Sequence, residues 1–192
     1  LTDESNTIND NFLCNQTIDL VLSSGGNAGY YMLGSIDILK KMSVRIDRIS
    51  AVSIGAWVGF FYFSELETSF EINAYIQILE DYCKRKEPIC CFDYRYELWN
   101  TKIKHLIDEN CYKKCNNRLF IGYTELNHNG AEFKVKSTYM SNDDVFLTCM
   151  ASSAIPFLTL DGPCVIMDKK KVIDGALLKN YFFFTNNKND QL

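Results

Sequence analysis

Ile49-Ser50-Ala51-Val52-Ser53-Ile54-Gly55-Ala56-Trp57 joins two apolar runs through a single serine. The first run is short, as a buried strand requires, and the second, Ile54 to Phe63, has the length of a helix. A strand that turns sharply into a helix brings backbone close to the serine, so the positions two before and two after it must be small. Ala51 and Gly55 meet that demand. In such a turn the Ser53 hydroxyl stands at the top of a sheet beside a helix N-terminus, whose free N–H groups favour a developing negative charge. A nucleophile belongs there. An ordinary serine turn between a buried strand and a helix fits the same nine residues, so the choice rests on the rest of the chain.

Upstream, Ile18-Asp19-Leu20-Val21-Leu22 is a compact apolar strand that runs straight into Ser23-Ser24-Gly25-Gly26-Asn27-Ala28-Gly29. Gly29 to Lys41 then carries Tyr30, Leu33, Ile36, Ile38 and Leu39, with Lys40 and Lys41 placed to suit a helix C-terminal dipole. A phosphate-binding loop would need GxGxxG or GxxxxGK, and neither is present. The loop reads either as a flexible turn or as a source of backbone N–H groups for an oxyanion. Ile46 to Val52 follows the first strand by one helix, as a parallel βαβ crossover requires.

Downstream, a helical pattern runs from Ile54 to about Arg85 with a break near Ser64 to Ser69, and Tyr94 to Asp108 reads as a further helix. Arg118 to Tyr123 and Glu132 to Ser137 read as two strands joined by a turn at Asn127 to Gly130. Asp143 to Met150 is a short helix leading to Ala151-Ser152-Ser153-Ala154-Ile155-Pro156. Cys164 to Met167 and Lys171 to Ile173 form a hairpin that delivers Asp174-Gly175-Ala176 to a strand end. Apolar strands alternating with amphipathic helices predict a three-layer α/β/α domain with a central, mostly parallel sheet.

A chain of 192 residues fits one domain, read here as residues 18–192 behind a polar lead-in over 1–17. A net charge of -4 argues against a nucleic-acid-binding face. The eight cysteines form no pair of CxxC motifs and read as reduced, core-filling thiols of a cytoplasmic protein; Cys111 and Cys115 share one helical face, which leaves a disulfide or metal open there. No run has the length of a transmembrane helix, and Leu1-Thr2-Asp3-Glu4-Ser5 is unlike a signal peptide. The chain begins without Met, so removal of an upstream piece is expected.

Taken together, the glycine loop after the first strand, the serine after the second and the late Asp-Gly-Ala resemble the patatin-like phospholipase family. In that family a loop of the form Asp/Ser-Gly-Gly-Gly-x-Arg/Lys-Gly supplies the oxyanion hole, a Gly-x-Ser-x-Gly serine is the nucleophile, and an Asp-Gly-Gly/Ala aspartate is its only partner. The matching positions are Ser23 to Gly29, Ala51 to Gly55 and Asp174 to Ala176, with Gly34 and the Ala151 to Pro156 stretch also similar. The departures are Ser24 for the first loop glycine, Ala28 for the usual Arg or Lys, Ala51 for the first elbow glycine, and Phe182 where the proline of Asn180-x-Pro is usual.

The resemblance implies acyl transfer without metal or cofactor. Asp174 deprotonates Ser53, Ser53 attacks a fatty-acyl ester of a glycerophospholipid, and N–H groups of Gly25, Gly26, Asn27 and Ile54 hold the oxyanion. Asp161, followed by Gly162-Pro163, is a rival acid that reads as a turn. A lipid substrate also implies peripheral membrane contact, for which Phe182, Phe183 and Phe184 are candidates, unless they form a core strand. Two other readings stay open. One is an inactive lipid-binding or scaffold protein, suggested by Ser24 and Ala28. The other is an α/β-hydrolase with a Ser-Asp-His triad completed by missing residues beyond Leu192, since that order needs a histidine after the acid and His105 and His128 both precede Asp174. The family usually continues past the aspartate, so the chain reads as a truncated product.

Overall fold

Thr17–Leu22 forms strand β1, and the segment after it rises through a short 3-10 turn, Gly26–Ala28, into helix α1, Gly29–Lys41. Arg45–Val52 is β2, parallel to β1, and Ile54–Ser64 is α2. The computed structural model describes residues 17–66, 99–160 and 162–184, together with residues 73, 84 and 96. The polar lead-in, most of the segment expected to be helical between 65 and 98, and the rival Asp161 lie outside the described residues.

Cys111–Cys115 is the short helix α3, Leu119–Asn127 is β3 and Gly130–Lys136 is β4. Asn142–Ser152 is α4, started by Ser141, whose side chain accepts the Asp144 N–H, and by Asp143 and Asp144 in its positive first turn. Val165–Met167 and Lys170–Asp174 are β5 and β6, and a 3-10 turn, Gly175–Leu177, follows. The expected α/β architecture is present, with a parallel β1-β2-β3 unit on one side of the sheet and helices packed against it. Beyond it β4, β6 and β5 extend the sheet with antiparallel pairings.

The register around β3 decides what the fold can place together. β4 pairs with β3 from Ile121↔Lys136 to Asn127↔Gly130 and so occupies one edge. The other edge is divided: β2 takes Leu119 to Gly122 in parallel, and β6 takes Tyr123 to Leu126 antiparallel. β2 and β6 therefore run toward each other along a single edge and meet end to end, with Val52 opposite Gly122 and Asp174 opposite Tyr123.

Side chains alternate along β2, so its two faces serve two cores. Ile49 and Ala51 face the main core, which α1, α2, α3 and α4 close through Leu33, Ile36, Phe60, Cys115 and Phe146. Helix α2 is apolar all round because it lies between the sheet and α4. Val52 faces the second cluster with Phe133 and Phe182, and Ser50 Oγ donates to the Phe182 carbonyl at 2.7 Å.

Two expectations change. Phe182 is buried against Phe133 and cannot reach a membrane, while Phe183 is exposed. From Trp99 onward the expected helix is replaced by a π turn, Trp99–Ile103, and a 3-10 turn, Lys104–Leu106. Cys111 and Cys115 do lie at the two ends of α3 as buried free thiols. Among the described residues, no helix is long and apolar enough to cross a membrane.

Candidate active site

Ser53 sits at the point where β2 ends and α2 begins, with φ 57° and ψ -122°. Few residues other than glycine adopt such angles, and holding one there costs about 1–3 kcal/mol. Three contacts fix it. Its N–H donates to Ser152 Oγ at 2.8 Å, its carbonyl accepts the Ala56 N–H at 3.0 Å, and its hydroxyl donates to Asp174 Oδ2 at 2.8 Å. Gly55 shows why the turn needs a small residue on its helical side, since a Cβ there would lie 2.7 Å from the Leu22 carbonyl oxygen and 2.9 Å from that of Ser23. Ala51, on the strand side, is fully buried and its methyl is accommodated.

Asp174 is the last residue of β6 and is held on every side. Its N–H donates to the Ala154 carbonyl at 2.9 Å, its carbonyl accepts Thr124 Oγ1 at 3.0 Å, and Oδ1 accepts the Ala176 N–H at 2.7 Å. Burial pushes its carboxyl above the ordinary carboxylate value, against the opposing pull of the Ala176 N–H and the Ser53 hydroxyl. The result is a carboxylate more basic than a surface aspartate, in hydrogen-bond reach of a hydroxyl. That pair has the geometry that proton abstraction from a nucleophile requires.

The glycine loop lies over the first turn of α2. A Cβ on Gly29 would fall 2.1 Å from Ile54 Cγ1, so the loop's far end rests directly on the residue after Ser53. Gly25 and Gly26 are exposed at the loop's tip, and Gly26 has a positive φ of 53° that favours glycine. Asn27 occupies the middle of the 3-10 turn, and Ile54 is the first residue of α2, whose N–H has no partner within its own helix. The loop is tied from the other side as well. Ser24 donates its N–H to the Asn180 carbonyl at 2.8 Å and its hydroxyl to Asn180 Oδ1 at 2.9 Å.

The sequence marks the Ala151 to Pro156 stretch as similar to the family but assigns Ser152 and Ser153 no role. Ser152 bridges Ser53 to the Gly122 carbonyl, which its hydroxyl reaches at 2.6 Å, and Ser153 Oγ accepts the indole N–H of Trp57 at 2.9 Å. The signal was a pair of serines between two alanines, Ala151 to Ala154, at the end of an apolar helix. His105 and His128 are both exposed, the first in a 3-10 turn and the second in the β3-β4 hairpin turn. No group of three or more His, Cys, Asp or Glu residues that could hold a metal ion occurs among the described residues.

Comparison with known proteins bears on the same segment. Two proteins named lysophospholipase NTE1, from two strains of Cryptococcus neoformans var. neoformans serotype D, are each 40% identical over 55 residues, 29% of this chain. The matched part spans 3% of the length of those relatives. A family model described as patatin-like phospholipase matches residues 20–90, which contain the glycine loop, Ser53 and α2. Over residues 20–90 this chain is thus similar to the patatin-like phospholipase family, a stretch that holds the first two motifs and ends before Asp174.

Proposed function

We propose that this chain is a lipid acyl hydrolase, a phospholipase A-type esterase that cleaves fatty-acyl esters of glycerophospholipids with Ser53 and Asp174. The observation that supports this reading best is the buried 2.8 Å hydrogen bond from Ser53 Oγ to Asp174 Oδ2. Asp174 takes the hydroxyl proton as Oγ attacks the ester carbonyl. The oxyanion is held by N–H groups of the loop and helix start, drawn from Gly25, Gly26, Asn27 and Ile54. The proton returns to the departing alcohol, and water, deprotonated by the same carboxylate, releases the fatty acid and restores Ser53. The protein acts at membranes as a peripheral, cytoplasmic enzyme.

The strained turn, the loop over α2 and the basic carboxylate fit this chemistry better than an inactive scaffold. The departure at Ser24 is accommodated, since its side chain holds Asn180. Labelling with a fluorophosphonate probe tests the reading: the chain labels, Ser53→Ala does not, and Asp174→Asn labels at least about a hundredfold more slowly. A folded protein that takes no label would make it a lipid-binding or scaffold protein instead.

A further inference from the structure

Each of the three segments that leave the candidate site exposes large apolar side chains. After the glycine loop comes Tyr31, 83% exposed. After the serines of α4 come Ile155, Phe157 and Leu158, the last two 76% and 61% exposed. After Asp174 come Leu177 and Leu178, the first 62% exposed. Ala154 and Asp174 are joined by a backbone hydrogen bond, and Phe157 and Leu177 each lie three residues beyond it, at most about 10 Å of chain.

The loop after Ala154 is built, not loose. Thr159 Oγ1 donates to the Ser153 carbonyl at 3.1 Å and accepts the Ile155 N–H at 2.8 Å. Backbone bonds from Leu158 and Thr159 N–H to the Ile155 carbonyl and from Phe157 N–H to the Gly162 carbonyl close it further. Phe157 has φ 58°, a left-handed conformation unusual for an aromatic residue, and Leu160 is tucked into the interior. A phenyl ring is thereby held in water by an ordered turn, and an ordered, exposed apolar side chain beside the site marks a surface suited to being covered.

Charge indicates what covers it. The chain has 24 acidic residues, yet residues 151–160 and 175–184 contain none, and their one charged side chain is Lys179. Apolar side chains with a lysine and no carboxylate suit entry into a lipid headgroup region, where a carboxylate would be costly to desolvate and lysine would reach the phosphates. A protein seated on the same face would cover the approach to Ser53, whereas a lipid surface would supply its substrate.

We propose that Tyr31, Ile155, Phe157, Leu158, Leu177 and Leu178 form the face by which this chain docks on a lipid surface, presenting the site to the bilayer. The choice of a lipid surface rests on the acyl-ester reading above. Co-sedimentation of the 192-residue chain with phosphatidylcholine vesicles tests it, alongside turnover of a water-soluble short-chain ester and sedimentation velocity without lipid. Phe157→Ser with Leu158→Ser, and separately Leu177→Ser with Leu178→Ser, should each lower vesicle partitioning by about tenfold or more. Soluble-ester turnover should be unchanged, and Ile166→Ser, exposed on β5 outside this face, should bind as the parent does. Equal partitioning of all variants, or a parent that does not bind vesicles, overturns the docking face. So does a parent dimer that the Phe157→Ser, Leu158→Ser variant dissolves while vesicle binding is unaltered. If vesicle binding behaves as expected and the parent hydrolyses no soluble ester, the docking face stands and the esterase reading falls.

Discussion

Ser152 Oγ stands between Ser53 and Gly122, accepting the N–H of the first at 2.8 Å and donating to the carbonyl of the second at 2.6 Å. Both hydrogen bonds are buried, so Ser152→Ala leaves a donor and an acceptor without partners. Each such group costs about 1–3 kcal/mol. Urea denaturation should show a loss of at least about 1 kcal/mol, and serine labelling should slow because the strained turn loses its backbone anchor. A variant as stable as the parent would mean that water or a shifted backbone replaces Ser152.

Asp174 gives a pH dependence with a defined sign. Its folded value is raised above 3.8 by burial, so the folded chain holds this proton more tightly than the unfolded chain does. The group's contribution to stability is fully present below about pH 3.8 and is lost as pH rises through the folded value. Asp174→Asn should remove that part of the slope in a stability profile taken from pH 3 to pH 7. The catalysis proposed above runs the other way: a base at Asp174 must be ionised, so the acid limb of the pH-rate profile should fall above the range of a surface aspartate.

The glycines should rank by what surrounds them. Gly55→Ala drives a methyl against the backbone oxygens of Leu22 and Ser23, which cannot swing aside, whereas Gly26→Ala meets open space and only the cost of a positive φ. Thermal unfolding should therefore show a larger loss for Gly55→Ala, with Gly26→Ala near about 1 kcal/mol. In activity, Gly26→Val should lower turnover by roughly two to three orders of magnitude if its N–H serves the oxyanion. Unchanged turnover would make the loop a simple turn.

Replacing His105 and His128 together by alanine should leave ester hydrolysis within about threefold of the parent, because both are exposed and Asp174 has its two oxygens on Ser53 and Ala176. Loss of activity in a folded double variant would make a histidine the base.

Much of the parallel half was legible because its signals are local. β1, α1, β2 and α2 follow from unbroken apolar runs, a glycine loop and a serine between small residues. The expected hairpins of β3-β4 and β5-β6 are also present, since turn residues mark them. What could not be read is long-range. Nothing local says that β6 returns to the same edge of β3 that β2 occupies, or that Ser24 will bond to Asn180. The misread segment has its own physical reason. Trp99, Ile103 and Ile107 recur every four residues and are all buried, a spacing that a π turn followed by a 3-10 turn satisfies as well as an α-helix.

From the head-on meeting of β2 and β6 we predict that the Ser53-Asp174 contact forms late in folding. The contacts of β1, α1 and β2 are local, whereas Asp174 lies 121 positions from Ser53 and both strands end on an edge that β3 supplies. A chain that has collapsed but not yet docked β6 presents the strained serine without its carboxylate. On the acyl-hydrolase reading proposed above, serine labelling during refolding should therefore trail the return of helical signal and serve as a clock for closure of the sheet.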